Sequence, residues 1–159
     1  MHSLTICRCV RYVNGYRATV ADDRPDLAAM VGRFGRALMA AERPILAAHD
    51  VSMWGYVVLT ALADEPMRTQ AALARAIGAD KTRIIADLDD LQERGLIERE
   101  PDPADRRVRL LRLTPEGRRV HTAVRRAIRA EEERLLADLP PADRRSFVRA
   151  LQRLDPGAL

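Results

Sequence analysis

A mainly α-helical fold carrying one small β-hairpin is what this sequence predicts, on three observations. Apolar residues recur at three- and four-residue intervals through most of the chain. One stretch alone, residues 96–113, reads as two short strands around a Pro/Asp turn. Residues that start and stop helices stand where the apolar patterns begin and end.

The elements follow in order. Residues 1–24 have no period and contain Asn14, Gly15, Asp22 and Asp23. They read as an irregular arm, an extension ahead of a natural start nearer Val20 or Met30. From Pro25 a helix carries Leu27, Met30, Val31, Phe34 and Leu38 at i, i+3, i+4, i+7 spacing. Pro44, which lacks an N–H donor, is expected to kink or end it. A second helix puts Trp54, Val57, Val58, Ala61 and Leu62 on one face, and Asp64-Glu65-Pro66 ends it. Thr69 caps a short helix, Gln70–Ala76, anchored by Leu73. Ile77-Gly78-Ala79 is a tight turn. Asp80 caps a further helix to about Arg94, with Ile84, Leu88 and Leu91 as its buried stripe. Gly95 follows as a left-handed stop. Leu96-Ile97 open the first strand. Val108, Leu110, Leu111 and Leu113 form the second, with a slip of phase at Leu110-Leu111. Thr114-Pro115-Glu116 combines a cap, an N1 proline and an acid at the positive helix end. The long helix it starts carries Val120, Val124 and Ile128 and reaches about Asp138. Pro140-Pro141 interrupt it, and a last helix carries Phe147, Leu151 and Leu154.

Composition bounds the function less than the charge suggests. The chain of 159 residues is 47% hydrophobic and 31% charged, as a globular domain should be. The pI near 9.7 points towards nucleic acid. Yet Arg8, Arg11 and Arg17 stand in the first twenty residues without an acid. The rest holds 24 basic and 23 acidic residues, a net of +1, so a DNA argument must rest on where charges sit. Cys7 and Cys9 are the only cysteines and form no disulfide framework. No apolar run approaches the ~20 residues of a membrane span. No secretory signal core is visible, so a cytoplasmic protein is expected.

The middle of the chain is a helix-turn-helix followed by a hairpin wing. In that arrangement the second helix enters the major groove, its first residues on base edges. Here those residues are Asp80, Lys81, Thr82 and Arg83. Lys and Arg donate to guanine, and Thr donates, accepts or touches a thymine methyl. The acids Asp87, Asp89 and Asp90 follow, so only the start of this helix is expected to face DNA. Arg68, Thr69 and Gln70 at the start of the preceding helix join the DNA-facing set. On the wing, Arg99, Arg106, Arg107, Arg109 and Arg112 fall within fourteen residues. Arginine at a hairpin tip suits a narrow minor groove, and Asp105 is placed to fix the Arg107 guanidinium by a salt bridge.

Three stretches make these residues recognisable. They are Leu91-Gln92-Glu93-Arg94-Gly95-Leu96-Ile97-Glu98-Arg99, Asp102-Pro103-Ala104-Asp105-Arg106-Arg107 and Leu113-Thr114-Pro115-Glu116-Gly117. In this order and spacing, residues 51–139 resemble the MarR family of regulators (multiple antibiotic resistance), and the weaker outer helices extend the likeness to about 26–155. The resemblance implies a winged helix-turn-helix core at about 51–114, between dimerisation helices at about 25–48 and 115–155. It implies an obligate homodimer on a pseudo-palindromic operator, with repression as the default. It also implies a small-molecule effector between the dimer helices and the DNA-binding lobe. The chain departs from the family at Ile85 and Ala86, where many members carry Thr-Arg. Base reading therefore shifts to Lys81, Thr82 and Arg83.

Arg43, His49, Trp54 and Tyr56, near the joint of the first two helices, are the effector candidates. The bland alternative makes Trp54 and Tyr56 ordinary half-buried aromatics. No cofactor or metal site is expected, since His2, His49 and His121 are widely spaced and no phosphate-binding glycine loop occurs. Ser3, Ser52 and Ser146 lie in no nucleophile-like turn, so an enzyme is not expected. The competing reading is a winged helix that binds protein rather than DNA. The cations Lys81, Arg83, Arg106 and Arg107 argue against it.

Overall fold

The computed structural model describes residues 25–64, 68–80, 82–102, 105 and 107–154. The arm at 1–24, with Cys7 and Cys9, lies outside the described residues. So do Lys81 and Arg106. Six helices and three strands are seen among the described residues. They are α1 (Leu27–Ala48), α2 (Met53–Asp64), β1 (Arg68–Thr69), α3 (Gln70–Ala76), α4 (Ile85–Glu93), β2 (Ile97–Pro101), β3 (Arg109–Leu113), α5 (Pro115–Leu135) and α6 (Pro141–Arg153). The chain divides within α1, after Phe34, and the packing below concerns residues 35–154.

The core forms around α2, which packs against α3, α4, α5 and β3. Its buried face is Gly55, Val58, Leu59 and Leu62. That corrects the expected face: Trp54, Val57 and Ala61 are only half-buried, because a helix surrounded on several sides has no single apolar stripe. Leu73, Ile84, Leu88 and Leu91 close the core from α3 and α4, and Ile97, Leu111, Leu113, Val124 and Ile128 from the sheet and α5.

Pro44 does not end α1, which runs on to Ala48. The carbonyl of Ala40, which loses its partner, belongs to an exposed residue and is open to water. Beyond the proline, Leu46 is buried and Ile45 packs against the core. That burial offsets the missing bond.

The sheet holds a strand the sequence does not announce. Its order is β1-β3-β2, all antiparallel. In the hairpin, Ile97 faces Leu113 and Pro101 faces Arg109. On the other edge, Arg68 pairs with Leu111 and Thr69 with Leu110. The phase slip is resolved by burial: Leu111 and Leu113 face the core, and Leu110 is half-buried between its two neighbours.

Two joints fix how α5 leaves the wing. The Thr114 hydroxyl donates to the Gly95 carbonyl at 2.7 Å and accepts from the Gly117 N–H at 3.0 Å. The Thr114 N–H donates to the Leu96 carbonyl at 3.1 Å. A Cβ on Gly117 would overlap that same Leu96 carbonyl oxygen. This glycine is therefore demanded by a close approach, not by its backbone angles.

The outer helices behave differently. α5 ends at Leu135 rather than near Asp138, with Leu136 as its cap. α6 begins at Pro141 without a side-chain cap and buries none of its residues. No single helix among the described residues is long and apolar enough to cross a membrane.

Candidate nucleic-acid interface

The segment before α4 departs from the expected helix. Asp80 accepts a bond from the Thr82 N–H at 2.7 Å, and the Arg83 N–H bonds to the Asp80 carbonyl at 3.1 Å. That side-chain turn competes with helical winding. Regular helix begins only at Ile85, after a buried Ile84. Asp80 thus holds a turn that presents exposed Thr82 and Arg83, rather than capping α4 directly. The Thr82 N–H bond holds the Asp80 carboxyl below the usual carboxylate range. The Arg83 guanidinium lies 5.8 Å from the Trp54 ring centre. Exposed Ile85 and Ala86 follow on the same segment.

The acidic run of α4 is consumed internally. Asp87 accepts from the Ser52 hydroxyl, and Ser52 in turn caps α2 by accepting from the Gly55 N–H at 2.8 Å. Asp89 accepts from Arg99 of β2 at 2.5 Å. Asp90 pairs with Arg94 at 3.3 Å, and Arg94 also donates to the carbonyls of His49 and Asp50 at the α1–α2 joint. Among the described residues, Asp50 is the non-glycine residue with positive φ, at 53°. Each acid therefore staples α4 to a different neighbour. Residue typing found the acids but not these partners: Ser52 lies 35 residues from Asp87 and Arg99 lies 10 from Asp89.

The wing arginines sort into two groups. Arg99 is bound to Asp89, and Arg112 pairs with Glu98 at 3.3 Å and Glu100 at 3.6 Å. Arg107 and Arg109 are exposed and make no ion pair among the described residues. Asp105 does not grip the Arg107 guanidinium. Its carboxylate accepts the Arg107 backbone N–H at 2.9 Å, so it shapes the turn and leaves the guanidinium free. The Val108 N–H to Asp105 carbonyl bond, also 2.9 Å, closes that turn.

The remaining candidates scatter. Thr69 accepts from the Ala72 N–H at 3.1 Å as the α3 cap, with half-buried Gln70 beside it. Arg68 lies in β1. Arg43 lines a cleft of about 320 Å³ with Met39, Leu46 and Met53. His49 offers its carbonyl to Arg94, and Trp54 lies under Arg83. Tyr56 stacks on buried His121 with ring centres 5.8 Å apart, and Thr60 bonds that histidine at 3.2 Å. The four effector candidates thus meet different partners. Burial, and then Glu132, raise the Glu42 carboxyl above its usual range. Burial is also the main cause that raises the Tyr56 hydroxyl.

Known proteins share this arrangement. A family model described as MarR family matches residues 49–108. A putative transcriptional regulatory protein for the hcr operon of Thauera aromatica is 32% identical over 112 residues, covering 70% of this chain and 68% of the relative. The fold is similar to that of apo MarR from E. coli, with a TM-score of 0.74 at 19% identity, over 84% of this chain and all of that one. It is also similar to the transcriptional repressor CouR bound to a 23-mer DNA duplex, with a TM-score of 0.70 at 26% identity, over 81% and 91% of the two chains. CouR from Rhodococcus jostii RHA1 with p-coumaroyl-CoA gives 0.69 at 27%, over 87% and 96%. With its wing, its stapled α4 and a relative of this identity and coverage, the chain belongs to the MarR family of transcriptional regulators, which are not enzymes.

Proposed function

We propose that the protein is a sequence-specific DNA-binding repressor that works as a homodimer on a pseudo-palindromic operator and is released by a small-molecule effector. The observation that carries this is the sorting of charge. Asp87, Asp89 and Asp90 of α4 turn to protein partners, whereas Thr82, Arg83, Arg107 and Arg109 stay exposed. Lys81 and Arg106 join this set by sequence. The working division keeps a winged core at about 51–114 and dimerisation helices at about 25–48 and 115–155. CouR, a similar protein, has been seen both on DNA and with an acyl-CoA, which supports a DNA-binding and ligand-responsive reading.

Selection of bound duplexes from a random pool by the full chain tests it. An inverted repeat is expected, with half-site centres about 34–36 Å apart or a multiple of that. Arg107→Ala is expected to weaken binding by roughly 1–3 kcal/mol, read by fluorescence anisotropy. Arg83→Ala is expected to relax base preference, and affinity to fall steeply with salt. No binding to any duplex at low salt overturns the reading in favour of a protein-binding winged helix.

A further inference from the structure

A groove of about 660 Å³ lies between the root of the wing and α5, walled by Arg112 of β3 and by Arg118, Arg119 and Arg126 of α5. Pro115 and Ala123 supply apolar surface, and Glu98, paired with Arg112, stands in the same wall. The size falls within the roughly 300–1,000 Å³ of small-molecule sites. Its charges are unequal. Arg112 is held by Glu98 and Glu100, and Arg119 by Glu116. Arg118 and Arg126 make no ion pair among the described residues. They stand eight residues apart on one helix, a rise of about 12 Å that two long side chains can close onto one anion. Between Gly117 and Ala130 the helix carries five arginines and no acid. An anion there meets positive charge with no acid of that span to compete for it. Guanidinium groups suit a phosphate through paired N–H donors.

We propose that this groove binds a small organic anion of two negative charges with a flat apolar part, the class of an aryl phosphate monoester. The DNA backbone is the other source of phosphate, and geometry disfavours it. β3 runs from Arg109 near the wing tip to Leu113 at the root, about 13 Å, and the groove continues from the root along α5. A duplex held at the tip leaves Arg126 out of reach. The inference gives a chemical class to the effector of the proposed function, and rests on that reading only for its regulatory meaning. Binding itself is measured without DNA.

Isothermal calorimetry on the full chain, with phenyl phosphate and benzoate as probes, tests it. One phenyl phosphate per chain is expected, about tenfold tighter than benzoate. Arg118→Gln and Arg126→Gln are each expected to weaken it by about tenfold, the loss of one charge-assisted contact. Arg145→Gln on α6 should leave it unchanged. All three positions are exposed on helices, and matching melting curves establish that each variant folds. Equal binding by wild type and both groove variants, or no heat at millimolar phenyl phosphate, overturns the proposal and leaves the DNA reading intact. Displacement by a duplex is expected of an effector, because the two affinities are coupled reciprocally. A loss of duplex affinity in both Arg118→Gln and Arg126→Gln with no phenyl phosphate present assigns the groove to DNA and overturns the proposal equally.

Discussion

Gly117 illustrates how one residue can be required for a reason invisible in its own backbone. It is buried against the Leu96 carbonyl, and that carbonyl also receives the Thr114 N–H. A methyl group has nowhere to go, because the obstacle is backbone rather than a flexible side chain. Gly117→Ala is expected to cost at least about 2 kcal/mol, towards the upper range of overpacking, read as a lower urea midpoint at unchanged slope. His121 is the residue-scale pH element. Burial, then Arg125 and Arg118 on its own helix, push its pKa below the ordinary value, while Asp64 of α2 opposes them. Tyr56 and Thr60 face it from α2. The folded state therefore favours neutral imidazole. Below the unfolded value of about 6.5 the unfolded chain binds more protons, so stability falls as pH drops through that window. Urea midpoints between about pH 7.5 and 5 should show the fall, and His121→Gln should flatten it.

Among elements, α4 depends most on its partners. Ser52, Arg99 and Arg94 meet Asp87, Asp89 and Asp90 from just before α2, from β2 and from its own end. Exposed ion pairs contribute only about 0–1 kcal/mol each, so their value lies in aim rather than stability. Arg94 is the exception, since it also satisfies two carbonyls at the α1–α2 joint. Arg94→Ala is expected to cost about 1.5–3 kcal/mol in thermal or urea unfolding, with Arg94→Lys restoring only part, because an ammonium lacks the fork. Elements governed by local chemistry were legible in the sequence. α3 begins after Thr69 and ends where expected, Gly95 takes φ +66°, and Thr114 caps α5. Elements governed by distant partners were not. β1 is two residues long and is a strand only because β3 offers it an edge. α1 outruns Pro44 because Leu46 finds a core. The start of α4 is the local exception, because an Asp80 side-chain turn and a helix cap look alike in sequence. In the candidate site the exposed cations were legible by type. The neutralisation of Arg99 and Arg112 was not, since their partners are set by register and packing.

At the scale of the whole molecule, apolar surface is left uncovered beyond the core. Met39 of α1, Leu135 and Leu139 after it in the chain, and Val148, Leu151 and Leu154 at the C-terminal end are all exposed, Leu154 at 72%. A helix such as α6, amphipathic yet burying nothing, needs a second surface, and the proposed homodimer would supply one. Leu151→Glu with Leu154→Glu is expected to convert dimer to monomer in sedimentation velocity and to remove the concentration dependence of the melting temperature. The Thr114–Gly117 joint has a further consequence. A hinge needs slack, and here a hydroxyl, a backbone bond and a glycine without a Cβ lock strand root to helix start. α5 and the hairpin therefore turn together, as the two arms of a bell-crank. The helix arm is about 30 Å long and the strand arm about 13 Å, so a 2 Å swing at the far end of α5 moves the wing tip by about 1 Å.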